Sequence, residues 1–251
     1  MMKTTNLPVL GCLVLLAGGH ALAADWTKYL DSIKGAADTA GISASDVDLT
    51  NTEMVAGLKE ALEKGTQYAV DKLGQPGGFL DNKKVRIPIP DSLSWIESSL
   101  RTVGQDELAD EFIATMNAAA EQAVPEAADI FGEAIKNMSV KDAQGILTGP
   151  DDAATDYFRT HTEDALTESM QPVVEAATPR TGVTAAYKNM MSKAGGLSSI
   201  LPGGSTDIDG YITGKTLDGL FLMIAEEERK IRTDPVARSS ELMQKVFGAY
   251  N

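Results

Sequence analysis

Five side chains of this 251-residue chain have the types and spacing to bind or react. Lys83 and Arg86 sit in one short basic run, and Glu226, Glu227 and Glu228 form an unbroken acidic triplet. The triplet directly follows Leu220-Phe221-Leu222-Met223-Ile224-Ala225. Successive helical residues turn by about 100°, so the three carboxylates fan across roughly 200° of a helix. The run before them is apolar all the way round and must be covered on every side. The helix therefore either leaves the core at Glu226 or buries at least one carboxylate with a partner. A carboxylate held out of water has a perturbed pKa, which is what acid–base chemistry requires. Lys230 and Arg232 stand four residues after Glu226 and Glu228, oriented for helical ion pairs worth about 0.2–0.5 kcal/mol each. The run Lys83-Lys84-Val85-Arg86 offers another partner. Arg86 can be buried against one of the glutamates as an architectural clamp, or it can meet an anionic ligand or partner.

Other patterns point to chemistry more weakly. Asp106/Glu107, Asp110/Glu111 and Asp151/Asp152 are carboxylate pairs of the kind that flank a glycosidic bond. Acids in these places are also what a helix start or a solvated face favours. Gly214-Lys215-Thr216 ends like a phosphate-binding loop, but the glycine needed five positions earlier is Asp209, and no strand precedes it. Asp207 to Thr213 resembles the middle of a calcium loop, yet its first and twelfth positions hold Ser205 and Thr216. Asp209 is expected instead to cap the helix that follows. His161 beside Phe158 cannot build a zinc site alone, and no nucleophile elbow accompanies it. It reads as a boundary residue. No metal site and no cofactor is expected.

The elements that must position these groups are helical. Val55, Leu58, Leu62, Ala69 and Leu73 fall on one face of a helix from about Asn51 to Leu73. Leu108, Phe112, Met116, Ala119 and Ala123 mark a second, and Pro125 either kinks it or opens a new one. Ala127, Ile130, Phe131, Ala134 and Met138 continue the pattern, and Leu166, Met170, Val173 and Ala177 form another helix that carries Pro172. Asp91 or Ser92, Ser139, and Asp151 or Asp152 are candidate helix caps. Three stretches lack the helical period. These are residues 24–50, Gly74 to Pro90, whose Lys83-to-Pro90 piece alternates and follows an extended path, and the loop from Gly195 to Gly210. The expected fold is an all-α, multi-helix bundle around a buried central helix near the C-terminus, from Leu217 to Ile231. A last helix runs to about Phe247. A single helical domain is expected over residues 51–251.

Composition narrows the function classes. Acidic residues outnumber basic ones 36 to 22, for a net charge of −14. Nucleic-acid binding draws on cations that displace phosphate counterions, so nucleic acid is not an expected partner. Anionic membrane surfaces would repel the chain as well, unless its charge is very unevenly placed. At 43% hydrophobic residues it is too apolar for a solvated coil.

Residues 1–23 read as a signal peptide: Lys3 is the basic start, Leu7 to Ala17 the apolar stretch, and Ala21-Leu22-Ala23 the small-x-small cleavage pattern. Residues 24–50 are expected to be a flexible lead-in. Val9-Leu10-Gly11-Cys12 loosely resembles a lipoprotein box, but Leu13 to Ala17 continues the apolar run past the cysteine. Cleavage after Ala23 removes Cys12 and His20, leaving no cysteine and His161 alone. Stability then rests on packing without disulfides. No later stretch reaches the ~20 apolar residues of a membrane span, so no transmembrane segment is expected.

Several pieces resemble a known family: Gly57-Leu58-Lys59-Glu60-Ala61-Leu62, Val85 to Leu93, Ala123-Val124-Pro125-Glu126-Ala127, Gly145-Ile146-Leu147-Thr148-Gly149, and Leu217 to Glu228. In this order, over Asn51 to Gly248, the chain resembles the bacterial exported family catalogued as domain of unknown function 4197. The loop from Pro202 to Asp209 is richer in glycine than that pattern. The resemblance implies an all-helical envelope protein and supplies no catalytic residues. The expected role is a non-enzymatic periplasmic module that binds an unidentified protein or an apolar small molecule in a groove between helices, where methionines provide adaptable lining or simply fill the core. The alternatives are a carboxylate-dependent envelope hydrolase using Glu226 to Glu228, and a structural oligomer.

Overall fold

Thr50 starts the first helix. Its hydroxyl accepts from Glu53 N at 3.2 Å, and the Glu53 carboxylate accepts in return from Thr50 N at 3.0 Å. This closed capping box satisfies two orphan donors at once. Helix α1 (Asn51–Leu73) follows, and its buried stripe of Met54, Leu58, Ala61, Leu62, Ala69 and Leu73 has the expected three-to-four spacing. In this computed structural model residues 49–193 and 207–250 are described. The signal peptide expected over residues 1–23 lies outside the described residues. So does the lead-in of 24–50, apart from Leu49 and Thr50.

After α1 a strap over residues 74–90 crosses the surface of the bundle without helix or strand. A 3₁₀ turn (Asp91–Leu93) leads into α2 (Ser94–Thr102) and α3 (Asp106–Ala123). Pro125 lies in a 3₁₀ turn (Val124–Glu126), where its missing N–H is harmless, and α4 (Ala127–Asn137) starts directly behind it. Ser139 caps α5 (Val140–Thr148) with a second capping box, closed by Asp142. Helices α6 (Ala153–Thr181) and α7 (Val183–Lys193) meet at Gly182, whose φ of 91° is the left-handed turn that glycine accepts without strain. The chain ends with α8 (Ile208–Thr233), a 3₁₀ turn (Pro235–Ala237) and α9 (Glu241–Ala249). The chain is therefore all-helical among the described residues.

Helix α8 packs against α6, α1 and α3. Leu220, Phe221 and Ile224 are buried, and Phe131 meets both Phe158 and Phe221 edge-on, at 5.3 and 6.3 Å between centroids. Edge-to-face pairs add about 0.5–1.5 kcal/mol to the area they bury. Gly219 lets the strap lie close. A Cβ there would stand 2.7 Å from Phe79 Cε1. Seven methionines from Met54 to Met243 are buried in the core, and Met191 packs partly buried against it. They fill volume in the core, and none lines the small cleft beside Glu228.

Several local expectations need correcting. The central helix begins at Ile208, well before Leu217, because the Asp207 side chain accepts from Gly210 N at 2.9 Å and caps it. Asp209 lies inside the helix, as do the last residues of the expected Gly195-to-Gly210 loop; residues 194–206 are outside the described residues. Coverage of the apolar run is incomplete, since Leu222 is 39% exposed on the outer face. The N-cap positions before α2 are Pro90 and Leu93, without a side-chain cap bond, where Asp91 or Ser92 was expected. Only the end of the Lys83-to-Pro90 piece is extended. Val85 N and Arg86 N both donate to Asn82 O, which makes residues 82–86 a turn.

Candidate functional site

Glu228 is the most heavily used carboxylate of the triplet. It is 8% exposed and accepts from Ala154 N and Thr155 N, each at 2.9 Å, and from the Thr155 hydroxyl at 2.8 Å. Arg232 adds Nε at 3.2 Å and Nη2 at 3.1 Å. The first N–H groups of α6 have no intrahelical partner and carry the positive end of the helix dipole. Glu228 supplies from α8 the anion they need, which is why Asp152, at the N-cap position, makes no side-chain cap bond. Arg232 Nη2 also donates to Ile146 O near the end of α5, at 2.7 Å. Arg238 donates to Ile231 O and Arg232 O, the last turn of α8. One carboxylate and two guanidiniums thereby join the ends of three helices.

The other glutamates divide differently from the sequence reading. Glu226 pairs with Lys84 across the strap at 2.6 Å. Glu227 is 8% exposed and takes Lys230, three residues on. That bond raises the Lys230 pKa, and the ammonium also lies 5.1 Å over the Tyr68 ring. Lys230 therefore serves Glu227, where a pair with Glu226 was expected. The Glu228–Arg232 pair forms as expected. Glu227 and Glu228 stay in the core with partners, the second of the two options the triplet allowed, and Glu226 is half-buried. Arg86 is not the buried clamp. It is exposed on the turn, as Lys83 is, and neither makes an ion pair among the described residues. Lys84 takes the place of Arg86 because the turn at 82–86 aims it at Glu226.

Two further buried polar residues escaped the sequence reading. Asn117 holds the strap as a neighbouring strand would: its Oδ1 accepts from Ile87 N at 2.8 Å, and its Nδ2 donates to Ile87 O at 2.9 Å. Glu121, one turn later on α3, accepts from Gly77 N, Phe79 N and Leu80 N at 3.1, 3.0 and 3.4 Å. The available signal was their spacing. Ile113, Asn117 and Glu121 lie four apart on a face that is otherwise apolar. Tyr211 closes the strap by donating to Pro88 O at 3.1 Å, and burial pushes its pKa up.

The weaker motifs fall away geometrically. Gly214, Lys215 and Thr216 lie inside α8, so no phosphate loop exists there. Asp207 to Thr213 is a cap and helix, and no cluster of three metal-ligating side chains occurs among the described residues. His161 is exposed, stacks on Tyr157 at 4.1 Å, and has Nδ1 2.7 Å from the Tyr157 carbonyl oxygen. The Ser139 hydroxyl bonds Asp142 as a helix cap. Arg101 gathers Glu97, Asp106 and Asp110 into one surface network.

A small apolar cleft opens where α1, α5, α8 and α9 meet. Leu58, Leu62, Ile146, Ile224, Ile231 and Phe247 line it, with Glu228 and Arg232 at its side. It has room for about one water molecule. It can seat the tip of an apolar side chain but is not a ligand-sized groove. No helix among the described residues is long and apolar enough to cross a membrane.

A family model described as "Protein of unknown function (DUF4197)" matches residues 48–248. No curated protein and no solved structure matches the chain.

Proposed function

This chain belongs to that family, and we propose that it is a non-enzymatic interaction module of the periplasm, exported by residues 1–23 and acting through a protein partner. The observation that carries the reading is how the buried carboxylates are used. Glu228 and Glu121 each accept three or more hydrogen bonds from fixed donors of the protein itself. A general acid or base needs a lone pair or proton facing substrate. These groups instead spend their oxygens on helix ends and strap amides. The cleft beside Glu228 has no room for an apolar ligand, and the reading therefore turns to a protein partner.

Native mass spectrometry of the protein purified from its own periplasm tests this. A chain starting at Ala24 with a stoichiometric protein bound supports the proposal. A lone chain that cleaves cell-wall or ester substrates, and loses that activity in Glu226→Gln, Glu227→Gln or Glu228→Gln, overturns it in favour of the hydrolase.

A further inference from the structure

We propose that the turn carrying Lys83, Lys84 and Arg86 is a docking point for an acidic segment of a partner protein; this rests on the interaction-module reading and names its surface and its partner's chemistry. The turn is built to hold its shape. Asn82 O accepts from both Val85 N and Arg86 N, and Asn82 Oδ1 accepts from Lys84 N at 3.1 Å. On one side Ile87 is fixed by Asn117, and on the other Phe79 and Leu80 are fixed by Glu121. Buried side chains alternate with the exposed ones, so Val85, Ile87 and Ile89 anchor the segment while Lys83, Lys84 and Arg86 face water. Three cations are thus displayed from a backbone already tied down by hydrogen bonds, which lowers the ordering cost of binding.

The run Lys83-Lys84-Val85-Arg86 gathers cations on an acidic molecule. The chain carries −14 overall, yet among the described residues these three cations make a single ion pair, Lys84 with Glu226. That bridge is exposed on the lysine side, where exchange with another carboxylate costs little. The backbone cannot pair with an added strand. Pro88 and Pro90 lack N–H groups, Arg86 N is used by Asn82 O, and Pro88 O is used by Tyr211. Recognition must therefore run through the side-chain charges. Width decides between partners. Screening reaches about 8–10 Å at physiological salt, so a narrow acidic segment feels the turn alone, whereas a flat anionic membrane also meets the acidic surface around it.

The test uses the full mature chain and a short glutamate-rich peptide, followed by fluorescence anisotropy and by amide shifts in NMR spectra at low and physiological salt. Saturable binding that shifts residues 82–87 is expected. Lys83→Glu with Arg86→Glu should weaken it roughly tenfold, because both side chains are exposed and the fold is untouched. Lys141→Glu with Lys188→Glu makes the same change in net charge at exposed sites on other helices and should have much less effect. The proposal is overturned if the peptide does not bind, if both double variants weaken binding equally, or if vesicles of anionic phospholipid bind at this turn and the peptide does not. Loss of peptide binding would leave the non-enzymatic reading standing, whereas hydrolysis dependent on Glu226, Glu227 or Glu228 would remove that reading whatever the peptide does.

Discussion

Glu228→Ala should be the most damaging single substitution in the acidic triplet, and the structure gives its size. The change removes an acceptor from two α6 amides and one hydroxyl, and it strips Arg232 of its buried counter-ion. Deleting one partner of a buried pair costs about 3–5 kcal/mol, because the other charge stays out of water uncompensated. A lost helix cap alone costs about 1 kcal/mol. Domain stabilities are only about 5–15 kcal/mol, so the variant should lie near the edge of folding. Urea unfolding followed by circular dichroism measures this as a lower midpoint. Glu226→Ala, which removes only the Lys84 bridge, should cost about 0–1 kcal/mol. Replacing Glu228 and Arg232 together by methionine should cost less than Glu228→Ala alone, since no orphaned charge remains. If Glu228→Ala costs no more than Glu226→Ala, the pair is not holding α6 and the architectural reading of the triplet is refuted.

Three other outcomes follow from the packing and the caps. Asn117→Leu leaves Ile87 N and Ile87 O without partners and should cost about 2–4 kcal/mol, with trypsin cutting faster at Arg86 as the strap loosens. Gly219→Ala drives a methyl into the Phe79 ring and should lower the unfolding free energy by about 1–3 kcal/mol, read by urea titration; Phe79→Leu in the same chain should recover part of it. The Ser139 hydroxyl lowers the Asp142 pKa, and Lys245 lowers that of Glu53. Both are depressed in the folded chain, so their stabilisation is complete above the unfolded carboxyl value of about 4 and fades as pH falls through the lower folded value. Lys245→Met should therefore lower Tm at pH 7 and make the fall in Tm below about pH 4 shallower than in the parent chain.

The long-period features of the molecule could be read from the residues, and the long-range polar contacts could not. Helix α1 runs from Asn51 to Leu73 as its apolar spacing indicates, because a 3.6-residue stripe is a local property. The dilemma at Glu226 to Glu228 was equally visible, since hydrophobic Leu220 to Ala225 leaves a following carboxylate few places to go. Which cation answers each carboxylate was not visible. Lys84 reaches Glu226 from 142 positions away, and the reach depends on a turn whose shape comes from Asn82. Asn117 and Glu121 carried a signal in their four-residue spacing on an apolar face, but the strap amides they hold come from a segment without periodicity. Asp152 illustrates the same limit at a helix start. Its position is right for a cap, and a carboxylate 76 residues away in the chain has already taken the job.

Helix α6 borrows its terminating charge from a residue the ribosome adds much later. Glu228 is 74 positions beyond Ala154, so a nascent chain that has just finished α6 still carries bare amides at its start. Contacts this distant in sequence form late, after the intervening chain has paid its closure entropy. Any fragment that stops before α8 should leave the first turn of α6 frayed and the end of α5 undocked, whatever its own helix propensity. Completion of the bundle is thereby tied to arrival of the C-terminal third of the polypeptide.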